Sequence, residues 1–95
     1  MSAQTLQTLG SLRIDRGFNP SKDPKIDEIK GKAGELLDLI NSIDLSLVDN
    51  KMLDEVFRLK VLAQDHLEIA SMFAVKAQVF SQNFKMSKNE INKRS

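Results

Sequence analysis

The chain has 95 residues, with 14 Lys and Arg against 13 Asp and Glu, and a net charge of +1. This length supports one domain, and the balanced charge excludes the broad basic field of a duplex-DNA binder while leaving room for a local phosphate site. Cysteine is absent, which excludes disulfide frameworks and cysteine zinc sites and fits a reducing cytoplasm.

Residues 1–14 place Leu6, Leu9, Leu12 and Ile14 at near-helical spacing. The expectation is a short helix that docks on something larger, weakened at Gly10 by about 1 kcal/mol relative to Ala. No basic region precedes an apolar run, so no secretory leader is expected. Residues 15–23, DRGFNPSKD, read as a linker, because Gly17, Asn19, Pro20 and Ser21 all favour turns. A helix is predicted over 24–42. Asp23 can cap it, and Pro24 is tolerated at the first helical position. Its apolar stripe is Ile26, Ile29, Ala33, Leu36, Leu37 and Ile40, with Glu28 and Lys32 as a four-apart ion pair on the wet side.

Residues 43–49 connect two antiparallel helices, and Ser46 with Asp49, or Asp49 alone, caps the second. That helix is predicted over 50–84, a stretch free of Gly and Pro. It would be about 50 Å long, against about 28 Å for its partner. The shorter helix cannot cover the longer one. The uncovered part includes Ile69–Phe80, where nine of twelve residues are apolar and spread around the circumference. A helix apolar nearly all round is buried nearly all round, so burial by further copies of the chain is expected. The segment is too short for a bilayer and is interrupted by Lys76. The polar, basic tail over 85–95 is expected to fray. The fold class is therefore all-α: a short N-terminal helix plus an antiparallel helical hairpin, assembling as a homo-oligomer.

Few residues suggest chemistry. His66 is the single histidine, and it stands two residues from Glu68, off the same helix face. A nucleophilic triad or metal site needs more partners, so no catalytic residue, metal or cofactor is assigned. Lys30 borders the apolar stripe, where an ammonium either snorkels outward or meets an anion. Gly31 and Gly34 flank it, and two helix-weakening glycines within one turn let a neighbouring helix or a ligand approach the backbone. Phe18 either plugs the core or stacks on a base. With Arg16, Lys22 and Lys25 nearby, it gives one ring and several cations. Arg58 and Lys60, beside Asp54 and Glu55, read as salt-bridged surface.

The stretch AQDHLEIASMFAVKA, residues 63–77, resembles the anti-CBASS cyclic-oligonucleotide sponges of phages, whose helical hairpin is shared with a Thoeris-antagonising sponge family. The resemblance is carried by His66, Leu67, Glu68, Ala70, Met72, Phe73, Ala74 and Ala77, with Phe73 where Trp is usual. The upstream FNP linker and the helix IDEIKGKAGELLDLI extend it to about residues 18–80. It implies a homo-oligomer, typically a hexamer, that works in the host bacterial cytoplasm. Such a protein sequesters cyclic di- or trinucleotides without cleaving them. It also implies a base-stacking aromatic, for which Phe18 is the nearest match where Tyr is typical. The implied phosphate-binding Lys is Lys30 first and Lys32 second. A second pocket on the long helix would involve Arg58. The competing reading is a helical-hairpin adaptor that pairs with a protein partner, and an enzyme is the weakest of the three.

Overall fold

The computed structural model describes residues 7–94. Its elements are all helical: α1 (Leu9–Ile14), α2 (Pro24–Asn41), α3 (Asn50–Asn83) and α4 (Lys88–Arg94). Leu6 of the expected N-terminal stripe lies outside the described residues.

Each helix starts where a side chain supplies the missing acceptor. Thr8 accepts from the Ser11 N–H at the start of α1. Asp23 accepts from the Lys25 N–H at 2.9 Å, and Asp49 accepts from the Lys51 N–H at 2.8 Å. The Ser46 N–H turns to Asp44 instead, so Asp49 alone caps α3. α1 ends at Asp15, which adopts the left-handed conformation (φ 60°, ψ 50°) that Asp tolerates better than most residues.

Three sequence expectations need correction. The tail does not simply fray: Ser87 and Glu90 exchange reciprocal backbone hydrogen bonds, a capping box that starts α4. Gly10 is not merely a weak point. The backbone of α1 crosses α2 so closely that a Cβ on Gly10 would overlap the Gly34 carbonyl oxygen. The Gly10 N–H also donates to Asp38 Oδ1 at 2.6 Å. Finally, Glu28 and Lys32 do not pair. Among the described residues the ion pairs are Arg13–Asp65, Arg13–Glu68 and Arg58–Glu55.

α2 and α3 run antiparallel. Gln64 donates to Asn41 near the hairpin turn, and Gln78 donates to Asp23 at the other end, 2.9 Å away. Arg13 ties α1 to α3 through bonds of 2.6 and 2.8 Å to Glu68 and Asp65. Among the described residues Ile14, Ile26 and Leu37 are the buried hydrophobic ones between these helices.

The helices form a single layer. The chain measures 63 × 42 × 12 Å along its principal axes, with a radius of gyration of 18.6 Å. A compact globule of this length would have a radius near 12 Å. The accessible surface is 7546 Å², whereas a folded monomer of 10.7 kDa ordinarily exposes about 5,500 Å². Stable domains usually bury their apolar faces between two packed layers. Here the outer face of α3 stays uncovered: Phe73 is 66% exposed, Phe80 51% and Ile69 48%.

Candidate ligand-binding site

The site grows out of the connection between α1 and α2. The left-handed turn at Asp15 presents its carbonyl toward α2. Lys30, only 8% exposed, reaches back from α2 and donates to the Asp15 carbonyl at 3.0 Å and to the Phe18 carbonyl. The same ammonium lies 5.5 Å from the centre of the Phe18 ring, a cation–π contact. Lys30 thus does not snorkel outward. It fastens the 15–18 loop to the hairpin and sits under the ring.

Phe18 is 60% exposed, so it does not plug the core. Its ring lines a hollow of about 240 Å³ together with Pro20, Ile26, Lys30, Val75 and Val79. A second hollow, of about 350 Å³, lies against Arg13, Asp15, Ser71 and Met72 and shares Lys30 and Val75 with the first. The lysine therefore stands where two hollows meet, and together they fall within the usual range of about 300–1,000 Å³ for small-molecule sites. A third hollow, of about 670 Å³, opens beyond them between Pro24 and Gln82 and shares Ser21, Ile26 and Val79 with the Phe18 hollow.

The loop is braced on its far side. Asn19 donates to the Asp23 carbonyl and to Asp27 Oδ1 at 2.9 and 3.0 Å, and Ser21 donates to Asn19 at 3.0 Å. Lys22 occupies a turn at φ 57° and is exposed.

The structure brings together Phe18 and Lys30, whereas Arg16, on the same loop, lines none of these three hollows. Arg16 runs along α2 beside Gly34 and Gly31. It does not bring in Lys32, which is exposed and stands two residues, or about 200° of helical rotation, from Lys30. Arg58 is also remote. It pairs with Glu55 at 2.7 Å and precedes Met72, at the second hollow, by about 21 Å of helix. Arg13, Ser71 and Gln78 were missed from sequence, because their partners or neighbours are distant in the chain and no local pattern announces them.

The Gln78 side-chain bond, and then the Lys25 backbone N–H, hold the Asp23 carboxyl below its usual range. A depressed carboxyl stabilises the fold above its unfolded value, about 3.9, and loses that contribution as pH falls through the lower folded value. Thermal melts are therefore expected to stay level down to about pH 5 and to decline below about pH 4. Asp23→Asn should melt lower at neutral pH and show a shallower decline in acid.

The fold and the site define a small all-α hairpin protein with surface hollows gathered around one buried lysine. The family description "Acb2/Tad1, hairpin domain" matches residues 10–79, which run from α1 to the last third of α3. The chain belongs to this family, the anti-CBASS and anti-Thoeris sponges. No curated protein and no solved structure matches it. Among the described residues no helix is long and apolar enough to cross a membrane.

Proposed function

We propose that this protein captures cyclic oligonucleotide signals, cyclic dinucleotides foremost, and holds them unchanged, which silences anti-phage signalling in a host bacterial cytoplasm. Membership of the sponge family supports the ligand class. The observation that carries the reading is Phe18, an exposed aromatic ring backed by a buried ammonium at the edge of an apolar hollow. An aromatic face stacks on any base and contributes about 1–3 kcal/mol per base.

One ring and one hollow make half a site for a ligand with two bases. A two-fold interface repeats the same residues on both sides and supplies the other half. The outer face of α3 supports such an assembly. Leu59, Leu62, Ile69, Phe73 and Phe80 recur at heptad spacing, with His66 and Lys76 in the intervening places, and all five are exposed in the single chain. Apolar seams of this period pair with other helices. The resemblance to the sponge family implies that this assembly is a hexamer of the same chain. Phe73→Asp should break it, and sedimentation of that variant should give a species of single-chain mass.

The test of capture is a thermal-shift panel of cyclic di- and trinucleotides. Binding to the native state raises the melting temperature by mass action, so a ligand at 100 times its Kd adds about 2.7 kcal/mol of stability. The wild type should respond to at least one cyclic dinucleotide, and Phe18→Ala should abolish the response while melting normally without ligand. Nucleotide released by denaturing the complex should be chemically intact. A flat response across the panel from a well-folded assembly would count against capture.

A further inference from the structure

We infer that the C-terminal end of the chain is a second binding surface, built for single-stranded nucleic acid and separate from the Phe18 hollow. Charge is segregated along the sequence. Residues 69–95 carry five Lys and Arg against one acid, Glu90, whereas residues 1–68 carry nine against twelve. The near-neutral total therefore conceals a local basic arm, the electrostatic footprint that a phosphate backbone calls for. The arm lies beyond residues 10–79, the stretch the family description matches. Phe84, Lys85 and α4 line none of the three hollows.

Rings accompany the charges. Lys76, Phe80 and Phe84 stand four apart along the end of α3, hence on one stripe. Lys76 Nζ lies 5.6 Å from the centre of the Phe80 ring. Phe80 meets Phe84 edge-to-face, with centroids 5.6 Å apart. One such contact covers at most one face of Phe84, which is 73% exposed. The ring is thus held from one side and open on the other, as a base-stacking platform requires. Phe84 also lies beyond the Leu59–Phe80 seam, so assembly does not need it.

The cations are available. Among the described residues Lys76, Lys85, Lys88 and Lys93 join no ion pair. The nearby acid, Glu90, accepts from the Ser87 N–H. Among the described residues α4 packs on none of the other helices, so it projects with Lys88 and Lys93 exposed. An unpaired base offers its face to a ring, whereas a duplex keeps its bases stacked inside. Ring and cations together therefore select a single strand.

The test is fluorescence anisotropy of a labelled twelve-residue oligothymidylate, with a duplex of the same length and inorganic polyphosphate as competitors, at 50 and 300 mM salt. The wild type should prefer the single strand to the duplex. Its affinity should fall with salt at a logarithmic slope of about −2, the value for three phosphate contacts. Phe84→Ala should weaken binding about fivefold or more while keeping the slope and the assembly state. Replacing Lys85, Lys88 and Lys93 together by Gln should remove most of the slope. Phe18→Ala should bind the strand as the wild type does. The chain has no Trp, so Phe84→Trp gives a single reporter whose emission a stacked base should quench. No binding at 50 mM salt overturns the proposal. Binding that is indifferent to Phe84→Ala and equal for strand, duplex and polyphosphate also overturns it, and marks the arm as a general polyanion binder. Loss of the strand in Phe18→Ala moves it to the hollow and overturns the separate surface.

Discussion

Lys30→Ala is expected to destabilise the fold by about 3 kcal/mol and to abolish ligand capture, because hydrogen bonds from a charged donor contribute about 1.5–3 kcal/mol each. Lys30 makes such bonds to the Asp15 and Phe18 carbonyls. The side chain is buried, so truncation also leaves a void between the loop and α2. Small domains have only about 5–15 kcal/mol of stability in total. The loss should appear as a lower urea midpoint. It should also appear as faster hydrogen exchange at the Phe18 amide, whose N–H bonds the Asp15 carbonyl at 3.1 Å. A fall in binding by this variant therefore reports the collapse of the loop as well as any direct contact. Unchanged stability together with lost binding would show that the lysine is free for the ligand, contrary to the geometry described above.

Gly10→Ala is expected to cost about 2–3 kcal/mol, the usual scale of overpacking at a site that cannot relax. The added methyl would run into the Gly34 backbone carbonyl and would stand 2.7 Å from Asp38 Oδ1. Neither rigid helix can yield at that point without parting. α1 would lift from α2, and the 15–18 loop that follows it would lose its anchor. Gly17→Ala is the matched control, because nothing lies within 4 Å of a Cβ there. Chemical denaturation should separate the two variants clearly. A Gly10→Ala protein as stable as Gly17→Ala would mean that the close crossing of α1 over α2 is not required.

The hairpin itself was legible because its signals are local. Asp23-Pro24 announces the start of α2, and the apolar spacing of Ile26 to Ile40 gives its buried side. The absence of Gly and Pro keeps α3 continuous. Its surplus of apolar surface was also readable, and the exposed stripe from Leu59 to Phe80 is that surplus in place. α4 was readable in principle from Ser87 and Glu90, but a stretch so polar gives no stripe to accompany its cap. What remained hidden depends on contacts between distant segments. The position of Lys30 at the stripe's edge suggested an ammonium with a special partner. Those partners are carbonyls made available by a left-handed Asp15, which no spacing rule foretells. Gly31 and Gly34 correctly signalled a close approach to the backbone. The approaching groups are the Arg16 side chain at both and, at Gly34, the neighbouring helix α1 through its Gly10 backbone.

Single-layer architecture gives these details their functional meaning. A chain that leaves Phe73 and Phe80 uncovered has surface to bury, and under the proposed function a ring and cation presented at its edge would become a complete site only when repeated. On the proposed function, ligand is expected to favour the associated state, and weakening the seam is expected to weaken the affinity.

Native mass spectrometry, with and without a cyclic dinucleotide, tests this coupling most directly. The expected result is a particle whose mass is a multiple of the 10.7 kDa chain. It should gain intact, uncleaved ligand in a ratio below one per chain. A monomer of 10.7 kDa that takes up no ligand would contradict it.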